Sequence, residues 1–156
     1  MPDELDPIDE QIIETLSRDA RATNAALADQ LGVAPSTAHA RTRSLVERGV
    51  LTGFHAAVDQ TALGRGLQAI IGVTLRPGQR QENIRGFAQE ISRHPDVIQL
   101  FFLGGVDDFL VHIAVDTSSS VRRFVVDQLS ARPSVASTRT SLIFEYHRNA
   151  VAADFS

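Results

Sequence analysis

The order of extended and helical runs after residue 66 limits the fold more than any other feature of the chain. LQAIIGVTL, residues 67–75, is rich in β-branched residues and leads through the turn signal RPGQ into QENIRGFAQEISRH, where Ile84, Phe87 and Ile91 recur at helical spacing. His94-Pro95 stops that helix. VIQLFFLGG and DDFLVHIAV follow as two further strands, joined by a tight hairpin through Gly104 and Gly105. DTSSS opens a second helix with the stripe Val121, Phe124, Val125 and Leu129, and ARPS turns the chain into a last extended run, SVASTRTSLIFEYHR. The order β-α-β-β-α-β is the split, ferredoxin-like arrangement, an α+β fold with four antiparallel strands and two helices on one face. The other face is left bare, and self-association would cover it.

The residues before this unit read differently. In LDPIDEQIIETLSRD, Asp6 caps a helix, Pro7 takes its first position and Asp9 and Glu10 sit in the first turn, where the helix dipole favours anions. Leu5, Ile8, Ile12 and Leu16 form its apolar face. A shorter helix, capped by Thr23 or Asn24, carries Leu27 and Leu31 and ends at Gly32. Pro35 opens a third, PSTAHARTRSLVERG, with Ala38, Thr42 and Leu45 inward and Gly49 as its stop. Three short helices with this turn have helix-turn-helix spacing, in which the last helix presents its first residues to the major groove. Ser36, Thr37, His39, Ala40, Arg41, Arg43 and Ser44 then face outward with hydroxyls and guanidiniums suited to phosphates and base edges. The same stripe reads equally well as a solvated helix face. VLTGFHAAVDQTALGRG carries a short strand and then polar and glycine residues. The chain accordingly divides into a domain at 1–58, a hinge at 59–66 and a second domain at 67–156.

Charge is uneven along the chain. All 15 basic residues are arginine, and residues 1–60 hold ten Asp or Glu against five Arg, so positive charge for a nucleic acid is local, at Arg41, Arg43 and Arg48. No window approaches the roughly 18 apolar residues of a membrane span, and the acidic start MPDELDPIDE is unlike a signal peptide, so the cytoplasm is the expected compartment. The absence of cysteine removes disulfides and thiolate ligands. The five His are dispersed. Asp108 and His112 share a strand face, but two ligands are too few to specify a metal. No nucleophile elbow or phosphate loop occurs, so neither an enzyme nor a cofactor protein is expected.

The stretches LDPID, Asp19-Ala20-Arg21, LADQLGVAPST, Arg41-x-Arg43-x-Leu45 and Arg48-Gly49-Val50-Leu51-x-Gly53-Phe54 together resemble the N-terminal region of Lrp/AsnC transcriptional regulators. Gly105-x-x-Asp108-Phe109 and Thr138-Arg139-Thr140 extend the resemblance over nearly the whole chain. It implies a winged-type helix-turn-helix domain followed by a ligand and assembly domain, in a sequence-specific DNA-binding regulator. It implies Ser36, Thr37, His39, Arg41 and Arg43 at double-stranded DNA, and Gly105, Asp107, Asp108, Thr138 and Thr140 at an amino-acid effector. Asp108 would hold the ligand's ammonium group and the glycine loop its carboxylate. The implied assembly is a dimer and then a tetramer of dimers. The alternative is an architectural DNA-organising protein with no working effector site. The chain departs from the family's pattern at Ala34, where a capping Ser is usual and its loss costs about 1 kcal/mol, and at Asp107, where many members carry an aromatic residue.

Overall fold

The computed structural model describes residues 5–78 and 80–146. Gln79 of the RPGQ turn, the first four residues and the expected run of the last strand to Arg148, with the remainder of the second domain to 156, lie outside them. The chain forms two compact units that divide between Ala57 and Val58.

The N-terminal unit has three helices: α1 (Pro7–Arg18), α2 (Asn24–Leu31) and α3 (Pro35–Glu47). Asp6 caps α1 by accepting the backbone N–H groups of Ile8 and Asp9 at 3.0 and 2.9 Å. Thr23 caps α2, and Asn24 donates its side-chain amide to the Pro35 carbonyl at 2.7 Å, tying the start of α2 to the start of α3. Gly32 ends α2 at φ 65°, a left-handed conformation that a residue with a Cβ resists. Ala34 offers no side-chain acceptor, and α3 begins without that bond. Ile12, Ile13, Leu16, Leu27, Ala28, Ala38 and Leu45 form the core. Leu5 and Ile8 flank it half-buried, and Ile13 was not foreseen from the stripe. The expected short strand after Val50 does not form: residues 50–58 join no strand ladder among the described residues.

In the C-terminal unit, β1 (Leu67–Leu75), α4 (Arg80–Ile91), β2 (Val97–Phe102), β3 (Phe109–Val115), α5 (Ser118–Arg123) and β4 (Val135–Ile143) follow in the expected order. The sheet is antiparallel with strand order β2-β3-β1-β4. Both helices cover one face, where Ile71, Val73, Phe109, Val111 and Ile113 are fully buried against Phe87, Ile91, Phe124 and Leu129. After α5 the chain continues as a π-helical segment, Phe124–Ser130, which no periodicity announced. Residues 59–66, expected as a hinge, are instead a turn belonging to this unit: Asp59 accepts the Thr61 N–H at 2.9 Å, and Arg65 donates to the Pro95 carbonyl at 2.8 Å. The link between β2 and β3 also differs from the tight hairpin expected. Six residues, 103–108, lie between the strands, and neither Gly104 nor Gly105 adopts a positive φ. The loop is long enough to turn without left-handed residues.

Candidate nucleic-acid interface

Helix α3 is polar outside and apolar inside. Ala38 and Leu45 are fully buried, whereas Ser36, Thr37, Ala40 and Arg43 lie exposed one turn apart along the outer side. Among the described residues Arg43 pairs with Glu47 on the same helix, at 2.7 Å, with both side chains more than half exposed. Such a pair is worth about 0.3–0.5 kcal/mol, little enough for a phosphate to replace it. His39 is exposed but borders a 260 Å3 groove with Leu16, Leu27, Thr42 and Phe54.

Arg41 is placed differently from the expectation of an outward contact. It is half-buried and donates to Asp6 and, at 3.4 Å, to Asp9. The Arg41 hydrogen bond and charge from Asp6 raise its pKa above the ordinary value, while the Asp9 backbone N–H and Arg41 hold the Asp6 carboxyl below its own. Arg48, just past α3, donates to the other oxygen of Asp9 at 3.2 Å. Asp9 itself is 3% exposed. Sequence reasoning gave this residue only a dipole role. The signal was available, because Asp9 lies four residues after Leu5 and four before Ile13, a charge within the apolar stripe that demands buried partners.

The residues expected at an effector separate within one chain. Thr138 and Thr140 stand opposite Val73 and Ile71, on the helix-covered face at the edge strand. Asp107 lies on the other face, over Gly72, and pairs with Arg139 at 2.6 Å. A Cβ on Gly72 would fall 2.6 Å from the Asp107 carboxylate, so this strand glycine admits a close approach. Gly105 is exposed in its loop. Asp108 is 4% exposed and its carboxylate accepts the Leu75 N–H at 2.7 Å, while its own backbone N–H donates to the Val73 carbonyl at 2.9 Å. It fastens the start of β3 to the end of β1, where the β1–β4 register shifts, instead of presenting an open acceptor for an ammonium group.

His112 is buried on the uncovered sheet face, with Nε2 2.8 Å from the Gln68 amide oxygen and its ring 6.3 Å from that of Tyr146. Burial lowers its pKa below the usual 6.5. Because the folded pKa is the depressed one, the unfolded chain binds the proton more readily. The stability supplied by neutral His112 is therefore complete above 6.5 and declines as pH falls through the folded pKa. Urea midpoints measured from pH 8 to 5 should fall less steeply in His112→Gln than in the parent, and parallel curves would refute this assignment.

Among the described residues no group of three His, Asp or Glu is placed to hold a metal ion, and no helix is long and apolar enough to cross a membrane. Residues 5–52 match a winged helix-turn-helix DNA-binding family and residues 68–150 match the Lrp/AsnC ligand binding domain.

The chain belongs to the Lrp/AsnC family.

It is 48% identical to the HTH-type transcriptional regulator AldR of Mycobacterium tuberculosis over 96% of this chain and 83% of that one. A crystal structure of M. tuberculosis AldR superposes with a TM-score of 0.76 at 40% identity, covering 92% of this chain and 97% of the other. A Neisseria meningitidis transcriptional regulator solved as its L-Met complex has the same fold, with a TM-score of 0.87 at 24% identity over 97% of each chain. The Lrp/AsnC relatives are transcriptional regulators and not enzymes.

Proposed function

We propose that this Lrp/AsnC chain is a cytoplasmic, sequence-specific DNA-binding transcription regulator that works as a homo-oligomer and responds to an amino acid through its C-terminal unit. The observation that carries the DNA reading is the exposed stripe Ser36, Thr37, Ala40 and Arg43 on a helix whose inner side is locked in a folded core. One such helix offers few base contacts, and two copies related by a two-fold axis would read half-sites about 34 Å apart. The uncovered sheet face supports pairing, since the exposed Ile98 and Phe101 and the half-buried Ile70 and Leu110 lack cover there.

Arg43 and Arg41 serve this reading in different ways. In gel shifts across a salt series, Arg43→Ala should weaken binding and reduce the slope of log K against log salt by about 1, as expected when one phosphate contact is lost. Arg41→Ala should weaken binding with the slope unchanged, because its guanidinium already serves two carboxylates. Equal slopes for Arg43→Ala and the parent would remove Arg43 from the interface.

The amino-acid part rests on the ligand-binding family match and on the relative solved with L-Met. Since Thr138 and Thr140 are parted from Asp107 by the sheet, a site containing both sets would draw on more than one protomer. The same separation favours the second reading, an architectural DNA-binding protein without an effector. Thermal-shift measurement with the twenty amino acids decides between them. An effector at 100 times its Kd stabilises by about 2.7 kcal/mol, and no shift with any amino acid would favour the architectural reading.

A further inference from the structure

We propose that Asp9, a residue of α1, is the positioning residue that sets how α3 is presented to DNA. The inference rests on the DNA-binding reading of α3. The Asp9 carboxylate is shared: one oxygen accepts from Arg41 at 3.4 Å and the other from Arg48 at 3.2 Å. Those arginines stand seven residues apart, about two helical turns, so a single buried acid holds α3 near its middle and at its C-terminal cap. Two attachments restrain the tilt of a helix in a way that one cannot. Asp6 completes the arrangement by capping α1 and bonding Arg41 as well, so the frame of α1 and the attachment of α3 are the same structure.

The consequence for DNA follows from the length of α3. Its 13 residues span about 20 Å, and a tilt of about 10° displaces one end relative to the other by roughly 3 Å. That exceeds the tolerance of a hydrogen bond to a base edge or phosphate. The sign of the effect is diagnostic. Removing an acid from a DNA-binding unit should strengthen binding if charge alone matters. Removing this acid withdraws the shared acceptor from both guanidiniums, and binding should weaken.

The test uses the full chain and a duplex selected by the parent protein from a random-sequence library, with an unselected duplex of equal length as reference. Fluorescence anisotropy is read over a salt series, below the melting midpoint of each variant's helical signal. Asp9→Asn should bind the selected duplex at least about ten-fold more weakly than the parent, while Glu10→Gln, which removes a neighbouring charge, should bind equally or more tightly. Arg41→Gln, which leaves the Asp9–Arg48 bond in place and removes the Arg41 bonds to Asp6 and Asp9, should weaken binding without changing the salt slope. The double variant Asp9→Asn/Arg41→Gln should be weaker than Asp9→Asn by less than Arg41→Gln costs alone, because the Asp9–Arg41 link is shared by both lesions while the Asp6–Arg41 bond is lost only with the arginine. Asp9→Asn binding as tightly as the parent, or Arg41→Gln lowering the salt slope by about 1, would overturn the proposal while leaving α3 as the DNA helix. Failure of the parent to enrich any duplex would overturn both the DNA reading and the inference built on it.

Discussion

Asp108→Ala is expected to lower the stability of the C-terminal unit by about 2–3 kcal/mol, the cost of leaving a buried hydrogen-bonding group unpaired after losing a charged partner. The adjacent Asp107→Ala should cost no more than about 1 kcal/mol, because its Arg139 partner is largely exposed and water replaces the pair. Neighbouring aspartates of one loop thus have unequal consequences. Asp108 accepts the Leu75 N–H at 2.7 Å inside the domain, and removing the carboxylate takes that acceptor from a buried donor. Asp108→Asn keeps an acceptor oxygen and should fall between the two. Urea denaturation followed by far-ultraviolet circular dichroism measures all three. A stability for Asp108→Ala within 0.5 kcal/mol of the parent, about the spread of ordinary surface substitutions, would return this carboxylate to the candidates for direct ligand contact.

Leu45→Ala should have the larger effect on DNA binding. Leu45 is fully buried in α3, and truncating a buried leucine costs about 2–5 kcal/mol through lost transfer energy and the cavity left behind. A unit of this size is only marginally stable, so a loss of about 3 kcal/mol removes much of what holds it folded. Helical signal from the N-terminal unit and DNA affinity should disappear together at a temperature where the sheet of the C-terminal unit persists. Near-parent affinity at 37 °C would show that the small core is supported by more than the residues buried in it.

Most of the architecture was legible because its causes are local. Asp6-Pro7 and Thr23 mark helix starts by satisfying the first N–H groups, and Gly32 marks a stop because the left-handed turn needs no Cβ. The β-α-β-β-α-β element order followed from the alternation of helical and extended runs with short connections. The misreadings have equally specific causes. A hinge was inferred from the polar composition of residues 59–66, but composition does not reveal that Arg65 reaches the Pro95 carbonyl. The pair Gly104-Gly105 suggested a tight turn, although six residues separate the strands and the backbone needs no left-handed residue. The π-helical segment gave no signal, because a few residues cannot distinguish its period from 3.6.

By itself the sequence determined most of the runs that are helix or strand, the stops at Gly32 and Pro95, which faces are apolar, and through its motifs the family, but not the absence of a strand after Val50 or the π-helical segment. Hydrogen bonds within helices and alternation along strands depend on neighbours a few residues away, so they can be read from one line of text. Tertiary structure alone decided what the charged residues do. Arg41 meets Asp6 across 35 positions, Arg48 meets Asp9 across 39, the Asp108 carboxylate meets the Leu75 N–H across 33 and Arg139 meets Asp107 across 32. A side chain's charge acts through the dielectric and the partners around it, and both are set by burial in the folded chain. Arginine at an outward helical position was therefore visible in the sequence, while its commitment to two carboxylates of another helix became visible only once α1 and α3 were packed together.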